Sequence, residues 1–220
     1  MSQVDVIAID GPVASGKGSV SSGVAKVLGF HVLDSGALYR LTALACMNQG
    51  MDLGDAAAAE KVARLLKPLF KDGKIYLEGK DVTDAIRTEE VGLNASKIAA
   101  YPGVRKALFE LQRRSAVEPG LVADGRDMGS VVFPEARLKI FLTASAESRA
   151  KRRYNQLKEK GISSNIGDLV SDLKDRDRRD MERSVAPLKP AEGARILDSS
   201  DLTLQETIDQ VLAWYRESKA

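Results

Sequence analysis

Cysteine and histidine are almost absent from this chain, and each shortage argues against a class of chemistry. Among 220 residues there is one cysteine, Cys46, and one histidine, His31. A single cysteine cannot form an intramolecular disulfide, which excludes a disulfide-stapled scaffold. A single histidine argues against a multi-histidine metal site or a histidine-based triad. Because Cys46 lies in an apolar helical stretch, we interpret it as buried filler and not as a nucleophile.

Long hydrophobic runs and a charge of one sign are also missing. No apolar stretch approaches the about 20 residues that span a bilayer, and the N-terminus lacks a basic region followed by an apolar one. The 33 basic and 31 acidic residues leave a net charge of +2, whereas nucleic-acid-binding proteins usually carry a clear basic excess. We therefore expect a cytoplasmic protein without signal peptide, membrane or nucleic-acid partner. No large apolar surface stripe is obvious, which favours a monomer.

One stretch organises the rest of the chain: Gly11-Pro12-Val13-Ala14-Ser15-Gly16-Lys17-Gly18-Ser19. It follows an apolar run at 4–10 and precedes a helix predicted over 19–28. A glycine-rich turn between a strand and a helix presents backbone N–H groups and a helix N-terminus to an anion. This is the phosphate-binding P-loop pattern, except that Gly18 follows the lysine and the hydroxyl comes at Ser19. The alternative is an ordinary glycine-rich turn, but its context favours an ATP-binding loop with Lys17 at the phosphates.

Alternating strands and helices predict an α/β fold with a mostly parallel sheet covered on both faces. Further strands are predicted at 30–34, 121–124, 138–142 and 194–198. A closing helix is predicted from a core-facing stripe that comprises Leu204, Ile208, Val211, Leu212 and Tyr215. Three strands end in polar signatures, at Asp10, Asp34 and 124–127. Ligands bind at the carboxyl ends of parallel strands, so we expect these signatures to converge beside the P-loop.

Two segments interrupt the regular α/β pattern. Helices are predicted at 37–47 and 56–66, an antiparallel hairpin or meander at 70–84, and helices at 89–100 and 104–117 split by Pro102-Gly103. Two charged helices are predicted at 145–160 and 166–183, separated by a break at 161–165. Their arginines favour a lid that closes over phosphates, because phosphoryl transfer depends on positioning and charge neutralisation. The alternative is a solvated ladder of ion pairs, such as Asp172 with Arg176 and Asp175 with Arg179.

Beyond the P-loop, three motifs carry a resemblance to a known family. They are Leu33-Asp34-Ser35-Gly36-Ala37-Leu38-Tyr39-Arg40, Ala123-Asp124-Gly125-Arg126-Asp127-Met128-Gly129 and Arg183-Ser184-Val185-Ala186-Pro187-Leu188. Together with Lys17-Gly18-Ser19, they resemble the bacterial cytidylate kinases, a branch of the nucleoside monophosphate kinases. The resemblance covers nearly the whole chain. Val13 and Ala14 depart from it, since the family often has smaller residues or glycine there, and Ser19 replaces a common threonine.

The resemblance implies a P-loop three-layer fold with a small α+β insertion that binds the nucleoside monophosphate, and a short lid. The core would span about 1–36, 118–145 and 184–220, the insertion about 37–117 and the lid about 146–183. The implied reaction is transfer of the γ-phosphoryl group of ATP to CMP or dCMP, with Mg²⁺. No residue is assigned as a direct metal ligand. Asp34 and Asp124 are equally compatible with placing Mg²⁺ or its waters and with capping their turns.

Individual roles are likewise carried over from the resemblance. Besides 11–19, Arg153 is assigned to ATP. Lys17, Arg126, Arg176 and Arg183 are the implied catalytic residues. The implied CMP contacts are Ser35, Tyr39, Arg40, Ser96, Arg105, Arg126, Asp127, Arg176, Asp180 and Arg183. Of these, Ser96, Arg105 and Asp127 would read cytosine.

The cytosine assignment also has a physical basis, since a carboxylate such as Asp127 accepts well from the exocyclic amino donor of cytosine. Uracil presents an acceptor there, so a preference for CMP over UMP is expected. The remaining alternatives are kinases for adenylate, uridylate or shikimate, and a non-catalytic module gated by ATP.

Overall fold

The computed structural model describes residues 4–71, 73–159 and 161–219. Two predicted features extend beyond this part: Asp72 in the turn of the meander, and Lys160 at the end of the first charged helix. The chain divides into two compact units, one of Met1–Leu33 with Ser115–Ala220 and one of Asp34–Arg114.

The first unit is built on a five-stranded sheet. Its strands are β1 (Val6–Asp10), β2 (His31–Asp34), β6 (Leu121–Gly125), β7 (Leu138–Thr143) and β8 (Arg195–Asp198). Its helices are α1 (Lys17–Leu28), α6 (Ala146–Glu159), α7 (Ile166–Met181) and α8 (Leu204–Glu217), with a π-helical turn at Met128–Val132. The sheet order is β2-β6-β1-β7-β8, and β1 runs parallel to both β6 and β7, as β7 does to β8. The predicted α/β sheet is thus confirmed.

The apolar core of this unit lies between the sheet and the pair of helices α1 and α8. Ile7, Ile9 and Ile140 of the sheet are buried with Val24 of α1 and Val211 of α8. The two helices approach closely at Gly23, where an added methyl group would lie 2.2 Å from Ile208 Cδ1. This close approach explains why the helix carries a residue without a side chain there.

One member of the predicted core stripe on α8 is placed wrongly by the sequence. Ile208, Val211, Leu212 and Tyr215 are buried as expected, but Leu204 is 51% exposed. Leu204 is the first residue of α8, one turn before Ile208, the residue that reaches α1. Helical periodicity therefore predicts the correct face but not the point at which the helix starts to pack.

The second unit combines helices with a small antiparallel sheet. Its elements are α2 (Ser35–Asn48), α3 (Ala56–Leu65), β3 (Pro68–Lys71), β4 (Lys74–Leu77), β5 (Lys80–Asp81), a 3₁₀ turn at Ala85–Arg87, α4 (Glu89–Ile98) and α5 (Pro102–Arg113). The order β3-β4-β5 with antiparallel pairing confirms the predicted meander. Cys46 is buried in α2, as expected. Pro102 and Gly103 do not split two helices but begin α5, since proline fits the first turn, where its missing N–H has no helical partner.

Candidate active site

The P-loop joins β1 to α1 through a tightly constrained backbone. A methyl group at Gly11 would lie 2.0 Å from the carbonyl oxygen of Leu142 on β7, so only glycine fits there. Gly16 has φ 94, in the left-handed region that glycine adopts readily. The helix begins at Lys17, two residues earlier than predicted, because Gly16 accepts its first hydrogen bond, from Val20 N at 3.0 Å. Ala14, one of the two departures noted in the loop, holds φ 58, where an alanine is strained and glycine would not be.

Lys17 is buried against its own loop. Its Nζ donates to the carbonyl oxygen of Pro12 at 2.8 Å and to Ser15 Oγ at 3.4 Å. Burial, together with the positive charge of Arg126, lowers the pKa of Lys17 from 10.5 to about 7, although Asp124, Asp10 and Asp180 act in the opposite direction. In its protonated form Lys17 is therefore an ammonium group with little hydration, which strengthens its attraction to phosphate oxygens.

Two arginines of α6 donate hydrogen bonds to backbone carbonyl groups of the loop. Arg149 Nη1 donates to the carbonyl oxygen of Val13 at 3.0 Å, and Arg152 Nη1 donates to that of Ser15 at 3.2 Å. From the sequence, both belong to the charged helix whose arginines were assigned as a group to a lid over phosphates, and neither was assigned to the P-loop itself. Their spacing of three residues, which puts them on one helix face, was the available signal. Arg153, which was predicted to contact ATP, donates a hydrogen bond from Nη1 to Gln156 Oε1 at 3.5 Å.

A second cluster gathers arginines around one buried carboxylate, Asp180. Arg126 Nε donates to Asp180 Oδ2 at 2.8 Å, and Arg183 Nη2 lies 3.5 Å from Asp180 Oδ1. Burial alone would raise the pKa of Asp180, but the charges of Arg126, Arg183 and Arg176 hold it below its ordinary value. The structure thus brings together four of the predicted residues, all in the first unit.

The geometry of this cluster differs from the prediction in one respect. The helix predicted at 166–183 would have placed Arg176, Asp180 and Arg183 on one face, at spacings of four and three residues, but α7 ends at Met181. Arg183 therefore reaches Asp180 from the segment after the helix. Periodicity could not show this, because the spacing of the three residues is the same whether or not the helix continues.

The predicted solvated ladder of ion pairs is partly present on α7, but Asp175 has a different partner from the one predicted. Asp175 pairs with Arg178 at 2.8 Å instead of with Arg179, and Arg179 Nε donates to the carbonyl oxygen of Asp175 at 3.3 Å. Because residues three and four apart are both neighbours on a helix, spacing alone does not choose between Arg178 and Arg179. Both members of the Asp175–Arg178 pair are exposed.

The carboxyl ends of β1 and β6 meet, as parallel pairing requires. Asp10 and Gly125 are register partners, and Asp10 accepts backbone N–H groups from Met128 and Gly129, each at 2.8 Å. Asp10 thereby fixes the segment directly after Arg126 and Asp127. Its burial raises the pKa of the carboxyl group to about 6 despite these two hydrogen bonds.

Asp124, at the end of β6, lies next to the start of α1. A methyl group built at Gly18 would be 3.5 Å from Asp124 Oδ2. Among the described residues, no group of three or more histidine, cysteine or acidic side chains is arranged to hold a metal ion.

Six of the predicted residues belong to the second unit. Asp34 Oδ1 accepts a hydrogen bond from Ala37 N at 3.0 Å and so caps α2. Of the two roles considered for Asp34, capping its turn or placing Mg²⁺, this is the first. Arg40 Nη1 donates to the carbonyl oxygen of Ile86 at 2.7 Å, and the guanidinium carbon of Arg105 lies 6.0 Å from the ring centre of Tyr39. Ser35 is buried at the start of α2, and Ser96 is half-buried on α4. Arg40 is thus already anchored to the backbone of its own unit.

Among the described residues, no helix is both long and apolar enough to cross a membrane.

Comparison with known proteins now adds to this geometry. The model of the family described as Cytidylate kinase matches residues 7–217. Curated cytidylate kinases from Bordetella bronchiseptica and Polynucleobacter asymbioticus are similar to the chain. The former is 58% identical, with 96% of this chain and 95% of the relative covered. The latter is 54% identical, with both chains covered over 100% of their length.

Likeness to solved structures is more distant. A crystal structure of a protein from Eubacterium ventriosum, described as uncharacterized, is 12% identical, has a TM-score of 0.51 and covers 96% of this chain and 98% of that chain. At this identity the likeness concerns the fold alone.

Proposed function

Because the chain belongs to the cytidylate kinase family, we propose that its P-loop and the arginine cluster around Asp180 transfer the γ-phosphoryl group of ATP to CMP or dCMP. The products are ADP and CDP or dCDP. ATP is a co-substrate and CMP the acceptor, and we propose that the protein works as a monomer in the cytoplasm.

One observation carries the assignment of the transfer site: the P-loop and Arg126 leave the sheet at the same edge. Asp10 and Gly125 are register partners in parallel strands, so the loop that follows Asp10 and the arginine that follows Gly125 start next to each other. Arg126 is in turn bound to Asp180 at 2.8 Å. Phosphoryl transfer spreads charge over the oxygens of the transferred group, and its catalysis consists mainly of positioning and charge neutralisation. Cations from two elements, focused on one place, suit that requirement.

We assign the roles of the catalytic residues from the resemblance, and their places in the structure support these assignments. Residues 11–19 bind the triphosphate through backbone N–H groups and Lys17, as helix N-termini bind anions. Arg126, Arg176 and Arg183 neutralise charge on the transferred group and on the acceptor phosphate, where a planar guanidinium makes paired contacts. Asp180 keeps the arginines in place and contacts the sugar of CMP. Arg153 remains assigned to ATP, and we assign no general base.

Mg²⁺ fits the residues at the P-loop. This ion is usually held by one or two carboxylates together with phosphates and waters, and Asp124 offers one carboxylate beside Gly18. Asp124 would hold a water of the ion or the ion itself, and Ser19 offers a hydroxyl group one residue later. When bound, Mg²⁺ would supply positive charge that neutralises the phosphates of the nucleotide. Asp34 is left out of this role, because its carboxylate caps α2.

For the acceptor, we assign residues in each unit separately. In the second unit, Ser35 and Arg40 serve the CMP phosphate, Tyr39 lines the nucleotide, and Ser96 and Arg105 contact the base. In the first unit, Asp127 is buried and accepts from the amino group of cytosine. A buried carboxylate facing the carbonyl of uracil would lose its donor, so CMP should be preferred over UMP.

The donor half of the proposal is tested with Lys17→Ala. We expect turnover to fall by about 10²-fold or more, since charge stabilisation of this kind is worth that much. CMP affinity should be nearly unchanged because Lys17 serves the donor phosphates. Lys26→Ala, at the exposed end of the same helix, is the matched control. Loss of CMP binding with ATP binding retained would contradict the assignment.

A further inference from the structure

Arg149 and Asp177 form a buried ion pair between α6 and α7. Arg149 Nη2 lies 2.6 Å from Asp177 Oδ2, and Nη1 lies 3.1 Å from Asp177 Oδ1, so the contact is bidentate. Arg149 is 4% exposed and Asp177 is 8% exposed. A bidentate guanidinium–carboxylate contact fixes direction as well as distance. The pair therefore sets how α7 is oriented on α6.

The same guanidinium group is tied to the P-loop. Arg149 Nη1 also donates to the carbonyl oxygen of Val13 at 3.0 Å, and Nε donates to that of Ala144, after β7, at 3.0 Å. Val13 precedes Ala14, whose φ of 58 lies in the strained left-handed region. Arg149 thus restrains the loop next to its strained residue.

On the other side, Asp177 shares a helix face with Asp180. Leu173, Asp177 and Asp180 are the buried residues of α7, at spacings of four and three that define one face. Asp177 is bound to Arg149, and Asp180 is bound to Arg126 at 2.8 Å. Asp177 and Asp180 are thus less than one turn apart on α7. Through them, this helix connects Arg149, which contacts the P-loop, to the arginine cluster.

We propose that Arg149 and Asp177 are a positioning pair that fixes the arginine cluster relative to the P-loop during phosphoryl transfer. This proposal rests on the proposed function, because it assumes that ATP phosphates occupy the loop and that the cluster serves the transferred group. Neither residue touches the substrate in this account. Their effect is exerted through Val13 on one side and through Asp180 on the other.

Stability alone is a poor reason for such a pair. Replacing a buried ion pair by apolar residues of similar volume is often neutral or stabilising, whereas removing one partner leaves a costly unpaired charge. A guanidinium fork with three different acceptors has a geometric role that apolar residues do not reproduce. This difference separates a positioning role from a structural one in an experiment.

Single substitutions in the Arg149–Asp177 pair test the positioning role. Arg149→Lys keeps the charge but loses the fork, and Asp177→Asn keeps the shape but loses the charge. For both we expect kcat with saturating ATP and CMP to fall by about 10²-fold, the effect of misplacing reacting groups by about 1 Å. The KM values for ATP and CMP should change much less. Asp175→Asn, which breaks the exposed pair with Arg178 on the same helix, is the matched control and should leave kcat unchanged.

The double variant Arg149→Met with Asp177→Leu distinguishes the two roles. We expect its thermal midpoint to recover toward that of the wild-type protein while kcat stays low. Recovery of kcat together with the midpoint would overturn the proposal. If the double variant does not fold, Arg149→Lys decides, and a kcat equal to that of Asp175→Asn would overturn it. Wild-type turnover of CMP in the same assay separates this outcome from a failure of the proposed function, in which the wild type itself would be inactive.

Discussion

At the scale of a single residue, Lys17 combines a proposed role as a cation with a lowered pKa. It is the cation proposed for the donor phosphates, yet burial and Arg126 lower its pKa to about 7. Above pH 7 the lysine of the nucleotide-free protein therefore loses its proton. Bound phosphates favour the charged form and raise the pKa again, so nucleotide binding and protonation of Lys17 are linked.

This linkage predicts that ATP binding takes up close to one proton at pH 8. The affinity for ATP should fall as pH rises above 7, by up to about tenfold per pH unit, because the proton has to be supplied from solution. Titration calorimetry in buffers of different ionisation enthalpy measures the uptake. Lys17→Arg stays charged at this pH and should show none of it. Equal and negligible uptake in both proteins would rule out the lowered pKa.

The sequence did not show which of the arginines on one helix contacts the P-loop. Arg149, Arg152 and Arg153 share a charged stretch, and the family resemblance favoured Arg153 for ATP. The structure places Arg149 and Arg152 on the carbonyl groups of the P-loop, and the assignment of Arg153 to ATP stays a prediction. Which arginine meets the loop depends on how α6 lies on the sheet, which is a tertiary property that local spacing does not contain.

At the scale of elements, the sequence predicts the order and type of helices and strands well because hydrophobic periodicity is strong. Boundaries are less well predicted: α1 begins at Lys17 and not at Ser19, and α7 ends before Arg183. Each of these ends depends on a local backbone hydrogen bond. Pro102 shows the same limit, since a proline both separates helices and begins them.

The start of α8 gives a prediction at this scale. Glu206 N donates to Thr203 Oγ1 at 3.2 Å, and Thr203 N donates to Glu206 Oε2 at 2.8 Å, which is a capping box. Thr203→Ala removes the side-chain half of it and should cost about 1 kcal/mol. The thermal midpoint should drop by about 2–4 °C for a chain of this size, while kcat stays unchanged.

Thr203→Ser keeps the hydroxyl group and serves as the control for that substitution. Its thermal midpoint should stay close to that of the wild type. Equal losses in Thr203→Ala and Thr203→Ser would mean that the methyl group of the threonine, and not the cap, stabilises the start of α8.

At the scale of the whole molecule, the chain forms two compact units, and each contains residues that were predicted to bind substrates. The first contains the P-loop and the cluster around Asp180, both built from conspicuous glycine and arginine patterns that the sequence reveals directly. The second contains Ser96 and Arg105, which look like ordinary helix surface and became candidates only through resemblance. Their roles, and the division into core, insertion and lid, stay predictions.

Asp127 is the residue proposed to read cytosine when this chain phosphorylates CMP and dCMP. The most direct measurement is ADP release with Mg²⁺ and ATP in the presence of CMP, dCMP, UMP, AMP or shikimate, for the wild type and for Asp127→Ala. We expect high turnover of CMP and dCMP over UMP, and a loss of that preference in the variant, since the buried carboxylate is the group proposed to distinguish the two bases. Turnover of another acceptor in place of CMP, or an equal loss of CMP and UMP turnover in the variant, would contradict the account.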